Sequence, residues 1–370
     1  MAKVAAKRGK LPGVRFWDFP YPFLFILAFI VVVGLATLYS ASNGRGYFYR
    51  QLVWTFGGLS SMFLVSLVDP KRLERYCHSI YLGALGLLFA VFVMGKVAKG
   101  AQRWIHLGPV GIQPSELAKL ALVVALARVL MNQKGPFTFK DLWKPALLGG
   151  LPFVLTLLQP DLGTALILVG ITGSMVLVKG LTKRTFIALM VFFVAFGVVG
   201  GPYFWSHLKG YQKKRILAFI NPHSMAQEAG YHVLQSQTAI GSGRIWGKGF
   251  RKGSQARLEF LPEEHTDFIF SVYAEERGFV GVVVLLFLYF LLIFFGLSVA
   301  MAVRDQYSFF VVIGVVTIYA LHFVINVGMT MGLLPVVGVP LPLMSYGGSS
   351  LISTYLGAGL ILAAYRRRLG

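Results

Sequence analysis

LEFLPEEHTDFIFSVYAEERGFVG, residues 258–281, is the stretch from which the rest of the 370-residue chain can be read. Glu259, Glu263, Glu264, Glu275 and Glu276 flank Asp267, and together these are six of the 14 Asp and Glu in the whole protein. Directly after them, at Phe279, an apolar run of membrane-crossing length begins. A carboxylate at the edge of hydrocarbon is costly unless something pairs with it or uses it. The stretch therefore marks the place where a membrane scaffold presents an acid, and Asp267 is the residue the scaffold would hold.

Working outward, the composition agrees with a scaffold of that kind. The chain is 56% hydrophobic and 13% charged, with a mean hydropathy of +0.70, against about 25% charged residues in a soluble domain. Ten apolar runs recur from end to end: roughly Phe23–Tyr39, Leu52–Val68, Ser79–Gly95, Ser115–Met131, Ala146–Leu158, Leu162–Val178, Thr185–Phe204, Phe279–Val303, Ser308–Met331 and Leu351–Tyr365. The expectation is an all-α, polytopic membrane protein of about ten transmembrane helices, some broken, read as one integral membrane domain over residues 1–370. Residues 205–267 form its one long loop. The 42 glycines, interleaved with Leu, Val and Phe, suit closely packed membrane helices.

The net charge of +21 is a topology signal rather than a nucleic-acid one, because Lys and Arg lie between the apolar runs. With ten crossings, 18 Lys and Arg fall on the side shared by the two termini and 5 in the short loops of the other side. This places both termini, including the tail of residues 1–22, in the cytoplasm and the long loop outside it. Met1–Tyr21 and the following run resemble a signal peptide, but about 17 apolar residues is long for a signal core, and the charge balance requires the run to be retained. Ala146–Leu158 is short and is followed by Gln159-Pro160-Asp161. Basic loops on both sides of the fifth and sixth runs demand an even number of crossings there, and broken helices of this sort line cavities. In the long loop, Gln212–Ile220 reads as an interfacial helix with Lys213, Lys214 and Arg215 at head-group level. Gly241–Gly253 is rich in Gly, Lys and Arg but matches no phosphate-loop pattern. Cys77 is the only cysteine and the histidines show no metal-ligand spacing, so neither a disulfide nor a metal site is expected.

Several residues carry two readings. Asp267 is either the N-cap of the helix that follows or a general base, since a carboxylate crowded by others at an apolar boundary holds its proton to higher pH. An internal ion pair with Arg277 is the expectation for Glu275-Glu276. In KGAQRWIHLGPVGIQPSELAK, residues 99–119, Glu116 and Lys119 are spaced for an ion pair in the first turn of a helix; alternatively Lys119 and Arg103 face an anionic head group. Asp161 is a second cap or functional position, and Arg50 is equally a contact to lipid phosphate. LLPVVGVPLPLMSYGGSS, residues 333–350, contains three prolines and three glycines and cannot be regular helix. It is a rigid loop, or it offers Ser345, Tyr346 and Ser349 to a sugar or phosphate.

These motifs, together with QPDLGT and GYHVLQSQTAIGSG, occur in the order and spacing of the SEDS family (shape, elongation, division and sporulation), which the chain resembles from its first span to its last. VVGVPLPL and KGAQRWIHLG are most similar to the elongation branch. The resemblance implies an inverting peptidoglycan glycosyltransferase at the bacterial inner membrane that polymerises lipid II onto a polyprenyl-linked glycan, with its active site on the extracytoplasmic side. It implies Asp267 as the catalytic base and Glu116, Lys119 and Asp161 as functional positions; with Arg50, Arg103, His265 and Ser345 these three are the expected substrate-binding residues. The implied partners are a class B penicillin-binding protein (a transpeptidase), the rod-elongation complex and the membrane, with no nucleic acid. No cofactor is expected, with a divalent cation, Mg or Mn, as the open alternative. Pyrophosphate is a good leaving group, so one carboxylate plus cations suffices for the chemistry. Competing classes are a lipid II flippase, which ten broken helices with buried charge fit equally well, and a non-catalytic scaffold of the elongation machinery.

Overall fold

A computed structural model describes residues 20–42, 46–98, 101–107, 110–207, 210–222, 229–254 and 263–367. The basic tail up to residue 19 and Glu259 lie outside the described residues. Ten helices occupy the ten expected spans: α1 (Tyr21–Ala41), α2 (Tyr47–Ser66), α3 (Pro70–Met94), α4 (Pro114–Asn132), α5 (Trp143–Leu158), α6 (Leu162–Lys179), α7 (Lys183–Ala195), α11 (Ile269–Ala302), α12 (Gln306–Thr330) and α13 (Gly348–Arg367). Eight of these regions are long and apolar enough to cross a membrane on length and hydropathy. The other two, α2 and α4, are 20 and 19 residues long and carry more polar side chains. The protein is a multi-pass membrane protein.

α12 is the axis of the bundle and packs against α4, α6, α11 and α13. Lipid tails give apolar helices no reason to associate, so packing depends on small residues that let backbones approach. A side chain at Gly314 of α12 would run into Val123 of α4, and one at Gly58 of α2 would run into the ring of Tyr355 on α13. Polar groups inside the bundle are matched in the same way. Pro152 has no N–H for the carbonyl of Leu148, and the Tyr81 hydroxyl of α3 donates to that carbonyl at 2.6 Å. α5 is also longer than its apolar run. A 3-10 turn at Phe139–Leu142 leads into Trp143, and Pro145 sits in the first helical turn, where its missing N–H costs nothing.

The loops expected to share a side meet at one end of the bundle. Arg367 pairs with Asp69 at 3.9 Å and Asp305 at 3.6 Å. Arg366 donates to the Ser66 carbonyl at 2.7 Å. The backbone of Phe137 bonds to Gly180 and Thr182, so α5 and α6 form an out-and-back pair, as the charge balance required. The seventh span is less regular. α7 passes into a single π-turn at Phe196–Gly200 and a short helix, α8 (Gly201–His207), and its side chains are largely uncovered by the rest of the protein.

At the other end, three short strands, β1 (Lys96–Ala98), β2 (Ala101–Leu107) and β3 (Val110–Ile112), form an antiparallel sheet in the order β1-β2-β3. The long loop contributes α9 (Gly210–Ile220), which covers the expected interfacial helix, and α10 (Ala229–Ser242). Neither the sheet nor α10 is legible from hydropathy.

The stretch around 258–281 holds a break. α11 begins at Ile269, and Gly278 (φ +63°) interrupts it before the lipid-facing run from Phe279. The Gly-rich loop 243–253 wraps this break. Phe279 and Val280 donate to the carbonyls of Arg244 and Ile245, while Lys248 and Gly249 donate to those of Glu275 and Glu276. The loop that failed as a phosphate binder is thus a splint for a broken membrane helix. Glu275 pairs with Lys248 at 2.6 Å and accepts from Ser254, and Glu276 accepts from Ser40 and from the Arg251 amide at 3.0 Å. The expected ion pair with Arg277 does not form. Its guanidinium lies over the Phe250 ring instead, because the break at Gly278 brings the loop closer to the two carboxylates than their neighbour in sequence. A Cβ at Gly278 would stand 2.3 Å from the Gly247 nitrogen. Gly278→Ala is expected to cost about 2 kcal/mol or more, read as a lowered thermal midpoint in detergent. Gly57→Ala, with open space around it, should leave the midpoint unchanged or raised.

Candidate active site

A cavity of about 640 Å³ opens at the sheet-bearing end, and Asp267 is on its wall. The cavity forms where four helix N-termini converge. Glu116 comes from the first turn of α4, Asp161 and Thr164 from the start of α6, Gly347 and Ser350 from the start of α13, and Asp267 and Phe268 from the entry to α11. Arg103 and Trp104 of β2, His322 of α12 and Val336–Pro340 complete the walls. Ala218 and Phe219 of α9, with His232 and Val233 of α10, supply the rest. Helix N-termini carry partial positive charge and exposed amide donors.

Asp267 does not cap α11. The N-cap is Phe268, without a side-chain cap bond. What fixes Asp267 is its backbone. The carbonyls of His265, Thr266 and Asp267 accept in turn from the Tyr346 amide (2.8 Å), the Ser345 hydroxyl (2.6 Å) and Asn326 Nδ2 (2.9 Å). Three consecutive carbonyls are thereby tied to the 333–347 loop and to α12. On the same loop Gly338 (φ +72°) passes so close that a Cβ there would lie 3.3 Å from Asp267 Oδ2. Ser345 closes its own loop as well, accepting from the Leu341 amide at 2.8 Å.

The other expected residues divide. Asp161 is both cap and wall: it accepts from the Thr164 amide (3.3 Å) and hydroxyl (2.9 Å) and from Gln113 Nε2 (3.2 Å), and lies 3.8 Å from Arg103 Nη1. Arg103 reaches the cavity but also donates to the carbonyls of Gln159 and Pro160, closing the C-terminal end of α5. Glu116 pairs with Lys119 at 2.8 Å. Lys119 is 1% exposed and lies behind the wall, with Nζ 2.6 Å from His322 Nε2. His322 Nδ1 is 3.1 Å from the Pro340 carbonyl. That carbonyl can only accept, so Nδ1 carries the proton and Nε2 accepts from the ammonium.

Three of the expected residues lie outside the cavity wall. Arg50 is exposed in the first turn of α2 and does not line the cavity. The His265 ring stacks on Tyr47, with centroids 4.4 Å apart, and is absent from the cavity wall. The Ser345 hydroxyl is buried and bonds to backbone on both sides, fastening the Asp267 turn. Lys213 and Lys214 belong to α9 but are not in the wall, and the side chain of Arg215 lies outside the described residues. Composition and motif reading missed Trp104, Gln113, Thr164, His232, His322 and Asn326. A signal for two of them exists: His322 and Asn326 are polar side chains four residues apart in an otherwise apolar span.

Among the described residues no group of three or more His, Cys, Asp and Glu could hold a metal ion. Of the cavity carboxylates, Asp161 and Glu116 are engaged as above, and Glu263 and Asp267 are the other two on the wall.

With the geometry in place, the chain can be compared with known proteins. The FtsW/RodA/SpoVE family model, described as "Cell cycle protein", matches residues 19–369. The chain belongs to that family. Peptidoglycan glycosyltransferase MrdB of Escherichia coli strain K12 is 40% identical over 359 residues, covering 95% of this chain and 96% of that protein. Peptidoglycan glycosyltransferase RodA of Treponema pallidum is 33% identical, covering 95% and 98%. Among solved structures, a chain from "Structural coordination of polymerization and crosslinking by a peptidoglycan synthase complex" superposes with TM-score 0.83 at 37% identity, covering 95% of this chain and 98% of that one. Rod shape determining protein RodA of Thermus thermophilus gives TM-score 0.72 at 33% identity, covering 96% and 99%.

The Glu116–Lys119 pair sets a stability test. Lys119→Met strands a buried carboxylate and is expected to cost about 3–5 kcal/mol. The double variant Glu116→Gln, Lys119→Met should recover at least half of the lost thermal stability, read by unfolding in detergent.

Proposed function

We propose that the cavity is the site at which this chain polymerises lipid II into β-1,4 glycan, with Asp267 as general base. The observation that carries the reading is the placement of Asp267 on the wall of a cavity toward which four helix N-termini point. Such a cavity suits a diphosphate. Relatives of near-equal length are named peptidoglycan glycosyltransferases, and this supports the same reaction class here.

In this reading the 4-hydroxyl of the acceptor N-acetylglucosamine approaches Asp267. Its proton passes to the carboxylate as the oxygen attacks C1 of the α-linked donor sugar. The C1–O bond to phosphate breaks and polyprenyl diphosphate departs with the electron pair. Attack opposite the leaving group inverts the centre and gives the β bond. Diphosphate is stable as an anion, so no acid is required on the departing side. The helix dipoles and Arg103 stabilise its charge, and the Glu116–Lys119–His322 group holds the opposite wall. A divalent cation, Mg or Mn, would enter as a companion of the diphosphate, and no step here is routed through it.

Positive-inside charge places both termini in the cytoplasm. The cavity, at the opposite end of the bundle from Arg366 and Arg367, then faces the outer side of the bacterial inner membrane. In this reading the partners are a class B penicillin-binding protein and the rod-elongation complex; a solved complex that coordinates polymerization with crosslinking supports a crosslinking partner.

Asp267→Asn is expected to lower glycan-chain formation from purified lipid II by about 10²–10⁴-fold while lipid II binding and thermal midpoint stay close to wild type. Normal polymerisation by this variant would remove the base assignment. Absence of chains from the wild-type protein, with lipid II translocated across vesicles, would favour a flippase.

A further inference from the structure

We infer that Asn326 is a positioning residue for Asp267, an assignment that rests on the reading of Asp267 as the base. Asn326 is fully buried in α12, and its Nδ2 donates to two main-chain carbonyls, those of Asp267 (2.9 Å) and Val339 (2.7 Å). These belong to chain segments more than 70 residues apart in sequence. The first carries the carboxylate. The second adjoins Gly338, which forms the surface facing Asp267 Oδ2. One amide group therefore sets the spacing between the base and the wall opposite it.

The rest of the side chain argues against a purely structural role. Asn326 Oδ1 is buried without a hydrogen-bond partner among the described residues, and a buried unmatched carbonyl is destabilising. An apolar side chain would avoid that loss but would leave the buried carbonyls of Asp267 and Val339 without their donor, so the site gives up one matched acceptor to place one donor. Its donor does what an apolar side chain cannot.

One turn earlier on the same face, His322 binds the Pro340 carbonyl with one ring nitrogen and Lys119 with the other. α12 thus grips the 333–347 loop at two points a helical turn apart. One of them leads to Asp267, the other to Lys119 and Glu116. The separation of the base from the cation-bearing wall is fixed by a single helix face. Small displacements of a reacting group have large kinetic effects, about 10²-fold for 1 Å.

The test uses the full chain, reconstituted identically for each variant, with lipid II as substrate. Asn326→Asp keeps the shape and removes the donor; Asn326→Leu removes the polarity. Both are made alone and in the Asp267→Asn background. Expected are a 10- to 100-fold fall in kcat on the order allowed by such misplacement, KM within about threefold, and a fall in kcat well beyond any loss of folded protein, since both variants lower the thermal midpoint by leaving buried carbonyls unpaired. With Asp267→Asn already present, neither variant should lower the residual rate by more than about twofold, since the two residues act as a unit. Wild-type kcat in both variants, a loss that tracks the folded fraction, failure of both to fold, or a full additional loss in the Asp267→Asn background would each overturn the inference. Failure of the base assignment itself is seen separately, as undiminished polymerisation by Asp267→Asn alone.

Discussion

The structure depends on how three consecutive carbonyls, those of His265, Thr266 and Asp267, are held by the Tyr346 amide, the Ser345 hydroxyl and Asn326 Nδ2. Irregular backbone within a membrane bundle is tolerated only where its polar groups are satisfied by protein or by a water-filled cavity. The turn preceding α11 and the proline-rich loop preceding α13 are both irregular, and each supplies partners to the other. Neither would keep its shape alone. Joined, they form a rigid corner from which the carboxylate of Asp267 projects into the cavity. The position of that acid therefore depends on these backbone hydrogen bonds.

The same logic explains the fate of the remaining carboxylates in the acidic stretch. Glu275 and Glu276 are buried at a break in α11, and a buried charge without partners would be destabilising by several kcal/mol. The Gly-rich loop brings Lys248, Ser254 and the Arg251 amide to them, and in doing so supplies the carbonyls that receive the amides of Phe279 and Val280. Four of the acids close together in this stretch thus serve different ends. Two fasten a helix break, Asp267 and Glu263 face the cavity, and the sequence distance between these roles is only about two turns of helix.

Much of this was legible beforehand, and the part that was not has a physical cause. Hydropathy located ten helices because lipid contact imposes a long apolar run wherever a helix crosses. Charge balance located the out-and-back path of α5 and α6 because basic loops and lipid-facing runs alternate. The Glu116–Lys119 pair and the cap at Asp161 followed from spacing within a first turn. What sequence reading could not supply was which side chains face inward across helices. Arg50, His265 and Ser345 sit in the right motifs, yet one faces outward, one stacks on a tyrosine and one is consumed by backbone. His322 and Asn326 sit in no polar motif, yet they meet Lys119, Pro340, Val339 and Asp267. These pairings, between residues 13 to 203 positions apart, are set by helix rotation and loop path, which hydropathy does not encode. The sheet at β1–β3 was hidden for a related reason: its strands are too short for an alternating pattern to stand out from a loop.

The electrostatics of the cavity decide between an acid that is merely stored and one that works. Four helix N-termini aimed at one space make it a poor place to leave empty of negative charge. Two of the carboxylates there are answered locally: Asp161 by the Thr164 hydroxyl and amide with Gln113, and Glu116 by Lys119. Each of these acids offsets the dipole of its own helix. The dipoles of α11 and α13 have no such acid within their first turns. Negative charge arriving from outside is therefore favoured on the side of the cavity where Asp267 stands, and a diphosphate is the anion that a polyprenyl-linked sugar donor would bring. In the proposed reading, sugar transfer from a diphosphate donor uses that pairing of an anion site with a rigidly placed acid.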